Sequence, residues 1–221
     1  DQAILITSLV APKTLTGFID RFLITAEAYS IPVTIIFNKV DLYGEDEKNQ
    51  LTDMMHLYIQ AGYNCIYTSV VNNININKIA ELLKDKITLL SGNSGVGKST
   101  IINLIQPGLN LKTKEISVAH QSGTHVTTFA EMFVLSMGGS VIDTPGVKSF
   151  GIVDFYKKDL FHYFPEIFKQ SSNCRFNDCV HINEPKCAVK EAVENGEIAE
   201  SRYTNYLKIF NGEDMEVEYD D

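Results

Sequence analysis

Gly92-Asn-Ser-Gly-Val-Gly-Lys-Ser99 fits the pattern G-x-x-x-x-G-K-[ST], a spacing with a mechanical meaning. The glycines let backbone N–H groups close around phosphate oxygens, the start of the next helix adds its positive end, and Lys98 reaches the β and γ oxygens. The candidate phosphate-binding residues are therefore Gly92, Asn93, Ser94, Gly95, Val96, Gly97, Lys98, Ser99 and Thr100, with Ser99 as a magnesium ligand. Asp143-Thr-Pro-Gly146 lies 45 residues after Lys98. Asp143 offers a carboxylate for the magnesium shell, and Gly146 can respond to a γ-phosphate. Asp-x-Pro-Gly alone is a common turn; its place behind a second strand gives it this meaning.

Asn38-Lys-Val-Asp41 reads as a guanine site. The Asp41 carboxylate can accept from both N1–H and the exocyclic amine of guanine, whereas adenine would point a lone pair at it. Asn38 ties the loop together, the stem of Lys39 covers the base, and the segment Thr68-Ser69-Val70 can offer a backbone N–H to the guanine oxygen. The implied ligands are GTP and GDP with Mg²⁺. The order is unusual, because Asp41 precedes Lys98 by 57 residues whereas ordinary small GTPases place the phosphate loop first. A sheet can be cut and rejoined in this way when its original ends lie close together on the surface.

Cys174-x4-Cys179-x-His181-x5-Cys187 supplies three thiolates and one imidazole, a complete tetrahedral set with no position left for water. Such a set predicts a structural Zn²⁺ whose removal melts the local fold. Cys65, in the apolar stretch Asn64-Cys-Ile-Tyr67, reads as a packing residue.

These residues need a scaffold, and the chain supplies an α/β pattern in which short β-branched runs alternate with helical stretches. Strands are predicted at Ala3 to Val10, Val33 to Phe37, Asn64 to Thr68, Lys86 to Leu90, Ala130 to Leu135 and Ser140 to Ile142, the last two joined by a Met137-Gly-Gly139 hairpin turn. Helices are predicted at Leu15 to Tyr29, Glu45 to Ala61, Ile76 to Leu83 and Lys98 to Ile105, where Pro107 stops the run. After Gly151 aromatic residues become dense, then the cysteines come, then one helical stretch from Ala188 to Phe210. The expected architecture is a P-loop GTPase domain over residues 1–150, a mostly parallel sheet between helices, followed by a small, mainly helical zinc-binding domain over 151–221.

The 221 residues suffice for this, and no apolar run approaches the roughly 20 residues that span a bilayer. A cytoplasmic, membrane-free protein is expected. The net charge of -9 is local: from Glu191 onward ten acids face only Arg202 and Lys208, so residues 1–190 carry just -1. The chain starts at Asp1, directly before an apolar strand, which suggests a lost upstream segment.

Together these motifs resemble the circularly permuted ribosome-assembly GTPases of the RsgA type. The resemblance runs from Asp1-Gln-Ala through Asp20-Arg-Phe-Leu23 and Ala26-Glu-Ala28 to the cysteine cluster, and both motif order and cysteine spacing agree. It implies a cytoplasmic bacterial enzyme, expected to be a monomer, that binds the small ribosomal subunit and its rRNA late in maturation and hydrolyses GTP there under ribosome stimulation. Members usually begin with an OB-fold domain, which is expected to be absent from this chain. The alternatives are an RNA-binding module whose nucleotide site is structural, a permuted GTPase of the large subunit, and an ATP-using kinase; the cysteine cluster argues against the second and Asp41 against the third.

The family pattern Gly-x-His-Thr-Thr-Thr stands here as Gly123-Thr-His-Val-Thr-Thr128. Thr127, or in second place Thr128, is then the threonine that senses magnesium and γ-phosphate. Where Ras-like proteins keep a water-orienting glutamine the chain has Val147, so unassisted hydrolysis should run on the order of 10⁻³ s⁻¹ or below. The catalytic set expected from the resemblance is His125 to position water, Thr127 and Lys98. The aromatic and basic residues of the appendage, Lys157, Lys158 and Arg175 among them, are offered to RNA or ribosomal protein, with core packing the alternative for the rings. For His125→Ala the expected outcome is loss of partner-stimulated turnover with GTP affinity retained, checked by single-turnover hydrolysis and nucleotide titration.

Overall fold

In a computed structural model the described residues are 1–109, 131–143 and 156–213. His125, Thr127, Thr128, Gly146 and Val147 therefore lie outside them. A six-stranded sheet runs in the order β3-β2-β1-β4-β6-β5, built from β1 (Gln2–Thr7), β2 (Val33–Phe37), β3 (Asn64–Tyr67), β4 (Ile87–Ser91), β5 (Glu131–Val134) and β6 (Ser140–Asp143). β1 pairs in parallel with β2 and β4, β4 pairs in parallel with β6, and β5 closes the edge antiparallel to β6. The apolar run in β1 explains its central place, since a strand hidden on both faces needs no alternation: Ala3, Ile4, Leu5 and Ile6 are all buried. Leu83, Leu90, Ile101, Ile102 and Val141 join Ile4 and Ile6 in one cluster, each such side chain contributing roughly 1.5–3 kcal/mol on burial.

The helices are α1 (Thr16–Ala28), α2 (Glu45–Gln60), α3 (Ile76–Leu83), α4 (Lys98–Ile105), α5 (Pro165–Ser171), α6 (Ala188–Glu194) and α7 (Glu200–Asn211). The bounds of β2, α3 and α4 are those expected from the sequence. The first strand ends earlier, at Thr7, because Ser8 to Thr14 folds back on itself: the Thr14 N–H donates to the Ser8 carbonyl at 2.8 Å. Met137-Gly-Gly139 forms the expected turn, with Gly138 and Gly139 both at positive φ and the Leu135 N–H on the Gly139 carbonyl. The single helix expected from Ala188 to Phe210 is corrected to two. Gly196 adopts φ 74°, its N–H and that of Glu197 take the Val193 and Ala192 carbonyls, and those bonds end α6 before α7 begins.

The chain groups into two compact units. The first holds Asp1–Thr14, Pro32–Thr52 and the described part of Cys65–Lys148, and thus nearly the whole sheet. The second holds Leu15–Ile31, Asp53–Asn64 and the described part of Ser149–Asp221. Within it Leu160, Phe164, Ile167, Val189, Ile198 and Tyr206 form a separate core, so these members of the aromatic run pack inward, while Phe168 and Tyr156 stay exposed.

What draws α1 to the C-terminal residues is a buried ion cluster. Arg202 reaches the Asp20 carboxylate at 2.8 Å and grips Glu166 with two bonds of 2.6 and 3.0 Å. Asn205 and Tyr58 donate to the same Asp20 carboxylate at 2.6 and 3.0 Å, and the Phe164 ring lies 4.7 Å from the guanidinium. Burial alone would favour loss of the Arg202 proton, but Asp20 and Glu166 outweigh it and hold its pKa well above the usual value. Taking two charges out of water costs about as much as their attraction returns, so the pair adds little net stability, yet breaking it strands one charge. Arg202→Ala, which leaves the fully buried Asp20 without a counter-ion, is expected to lower unfolding free energy by about 3–5 kcal/mol, measured by urea titration.

Candidate functional site

The loop after β4 turns as the phosphate pattern requires. Gly92 has φ 140°, and a Cβ there would lie 2.1 Å from the Ile6 carbonyl oxygen. Gly97 has φ 103°, and a Cβ there would meet the Asn38 amide nitrogen at 2.3 Å. Neither position admits a side chain. Val96 plugs into the core beneath the loop, fully buried, and anchors it. Ser99 is half-buried and Thr100 exposed in the first turn of α4.

Lys98 curls over this loop, donating to the carbonyls of Gly92 at 2.6 Å and Asn93 at 2.9 Å. Burial lowers its pKa, with Asp143 pulling the other way; burial raises that of Asp143, with Lys98 pulling it down and Glu131 pushing it further up. The Asp143 Oδ1 is buried with no hydrogen-bond partner among the described residues. A carboxylate oxygen left without a donor suits a divalent cation, the chemistry that the sequence expects there.

The Asn38-Lys-Val-Asp41 turn leaves β2 beside this loop. The Asn38 backbone N–H donates to Thr7 and its side-chain amide to the Val96 carbonyl, both at 2.8 Å, so the base turn and the phosphate loop are directly joined. Lys39 has φ 66°, and its ammonium donates to the Ala11 carbonyl; burial lowers its pKa and Asp41 raises it. Thr68 and Ser69 use their own N–H groups on the Phe37 and Ile74 carbonyls. The Ser69 hydroxyl donates to Asp41, a side-chain role that no sequence motif signals.

In the second unit the Sγ atoms of Cys174, Cys179 and Cys187 and a ring nitrogen of His181 lie within 4.8 Å of one another. The thiol pairs are 3.9 and 3.8 Å apart, and Nδ1 of His181 is 3.6 and 3.5 Å from Cys174 and Cys187. Zn–S bonds near 2.3 Å in a tetrahedron set sulfurs about 3.8 Å apart, so these four separations match the edge lengths of a zinc site. The sulfurs are too far apart for a disulfide. Burial pushes the Cys179 thiol up to about 12, so this cluster calls for a cation to hold thiolates.

The loop under His181 is held from several sides. Glu184 accepts the N–H groups of Val180 and Ile182 at 2.8 and 2.9 Å, Tyr203 donates to the His181 carbonyl at 2.6 Å and Tyr206 to that of Val180 at 2.7 Å. This fixes His181 at φ 61° with Nδ1 toward the thiols. The cysteine spacing did not announce these supports: Glu184 occupies an unspecified position between His181 and Cys187, and Tyr203 and Tyr206 come from α7.

Among the described residues no helix is long and apolar enough to cross a membrane.

A mostly parallel sheet with a phosphate loop after β4 and a guanine-type turn after β2 defines a P-loop GTPase whose motif order is permuted. The RsgA GTPase family model matches residues 1–153. The small ribosomal subunit biogenesis GTPase RsgA of Christiangramia forsetii is 50% identical over 214 residues, covering 97% of this chain and 68% of that protein. The protein of the same name from Bacteroides fragilis is 52% identical over 209 residues, covering 95% and 67%. Among solved structures, YjeQ from Thermotoga maritima superposes with a TM-score of 0.83 at 41% identity, over 96% of this chain and 71% of that one. YloQ, described as a circularly permuted GTPase, gives 0.78 at 34%, over 96% and 68%. The chain belongs to the RsgA GTPase family and is a GTP hydrolase.

Proposed function

We propose that this chain is a GTP-driven switch in late maturation of the small ribosomal subunit, with hydrolysis stimulated by the subunit itself. The observation that carries it is the convergence of Asp41, Lys98 and Asp143 at the C-terminal ends of β2, β4 and β6, joined by the Asn38–Val96 bond, in a chain half identical to proteins named for small-subunit biogenesis. In this reading residues 1–150 are the nucleotide domain and 151–221 the metal domain, and the protein works as a cytoplasmic monomer on ribosomal RNA.

Asp41 reads the guanine edge, with Asn38 bracing the turn, Lys39 over the base and Val70 left to supply the backbone donor. Gly92 to Thr100 wrap the phosphates. The Lys98 ammonium exchanges two loop carbonyls for β and γ oxygens, a swap of neutral for charged acceptors that favours the bound state. Mg²⁺, which supplies charge neutralisation when bound, would be held by Ser99, Asp143 and Thr127. Gly146 follows the γ-phosphate and His125 orients the attacking water. Zn²⁺ would be held by Cys174, Cys179, His181 and Cys187 in a structural role.

Turnover measured with and without mature and immature small subunits tests the switch. The expected outcome is slow hydrolysis alone and at least about a tenfold rise with subunits, and no rise would favour the RNA-binding module with a structural nucleotide site. For the metal, elemental analysis should find zinc in equal proportion to chain. A strong chelator should then abolish the near-ultraviolet dichroism of the tyrosines packed on the cluster, and readdition of zinc should restore it.

A further inference from the structure

The turn that carries Asp41 closes on itself. It leaves β2 at Asn38 and makes a 3₁₀ turn over Val40–Leu42, with the Leu42 N–H on the Lys39 carbonyl at 2.9 Å. It ends at Tyr43, whose hydroxyl returns to donate to the Asn38 carbonyl at 2.9 Å. The same hydroxyl accepts the Leu9 N–H, also at 2.9 Å. One buried oxygen thus binds the base-reading turn to a segment that contains no nucleotide motif, Ser8 to Thr14.

That segment is itself compact. The Thr14 N–H donates to the Ser8 carbonyl at 2.8 Å, the Ser8 N–H to the Thr14 hydroxyl at 3.2 Å, and the Ser8 hydroxyl to the Val10 carbonyl at 2.6 Å. It meets the nucleotide residues at two further points. Its Ala11 carbonyl accepts from the Lys39 ammonium, and its Pro12 Cδ stands 3.5 Å from where a Cβ on Gly95 would be. Together with the Asn38–Val96 bond, these contacts link the segment, the base turn and the phosphate loop pairwise into a triangle.

We propose that Tyr43 is a positioning residue for guanine selection, and that Ser8 to Thr14 is a third wall of the nucleotide site that steers Lys39 through the Ala11 carbonyl. This rests on the guanine-site reading of Asp41 and extends it to residues that no motif includes. The physical reason is the demand that a carboxylate reading two N–H groups be held to about half an ångström. Asp41 sits in a turn of few residues, and without the Tyr43 hydroxyl the ring opens and both Leu9 N–H and Asn38 C=O lose a buried partner. Burial raises the Tyr43 pKa, so the hydroxyl keeps its proton and its double role at neutral pH.

The test is Tyr43→Phe in the full chain, with GDP and inosine diphosphate titrated calorimetrically and the melting temperature recorded. Inosine lacks the exocyclic amine, so the ratio of the two affinities reports the placement of Asp41, which a loss of stability alone would not alter. GDP affinity is expected to fall about tenfold and inosine diphosphate affinity much less, shrinking the preference. Equal losses, or none, would overturn the proposal. A wild-type chain that failed to prefer GDP over inosine diphosphate would instead remove the guanine-site reading itself. Should the variant not fold, amide exchange in the wild-type chain decides: GDP is expected to slow exchange at Leu9 more than inosine diphosphate does, and equal rates in both would sink the idea.

Discussion

The side-chain amide of Asn38 on the carbonyl of Val96 spans 58 residues of sequence at 2.8 Å, and the proposed nucleotide site depends on it. One partner belongs to the turn that carries Asp41 and the other to the loop that ends in Lys98. Val96 is fully buried, so its carbonyl is held by the core, and Asn38 inherits that rigidity. Gly97 has to be glycine for the same reason, because any Cβ there would occupy the place of the amide. In the proposed reading, base recognition and phosphate recognition are therefore one structure, whichever motif the chain visits first.

That indifference to order follows from the parallel sheet. β2, β4 and β6 run in the same direction through β1 and β4, so the loops after them emerge at one edge. Cutting the chain elsewhere and rejoining its ends alters connectivity but leaves the register between Leu5 and Ile35, or Leu90 and Asp143, as it was. Permutation costs the site nothing so long as the strands keep their neighbours.

The second unit relies on polar groups removed from water, in two different ways. One cluster gathers three thiols and an imidazole within 4.8 Å of one another, supported by Glu184, Tyr203 and Tyr206. The Arg202 cluster is complete without an added ion: five donor groups from Arg202, Asn205 and Tyr58 meet the carboxylates of Asp20 and Glu166. It ties α1, α5 and α7 to one another through hydrogen-bonded charges, so loss of Arg202 would leave Asp20 buried and unpaired.

By itself the sequence determined the local structure and the chemistry. The bounds of β2, α3 and α4, the Gly138-Gly139 turn and the gathering of Cys174, Cys179, His181 and Cys187 were legible because apolar period, breaker residues and motif spacing are short-range properties. The one long helix read from Ala188 onward failed because Asn195-Gly196 is a helix-stop pair, and Gly196 turns left-handed there. Only the tertiary structure decided that Asp20 would meet Arg202 across 182 residues, that the Ser69 hydroxyl would face Asp41, and that Tyr43 would join Leu9 to Asn38. Those contacts arise where separately specified elements pack, and the distances between elements are set by the whole core, which no window of sequence contains.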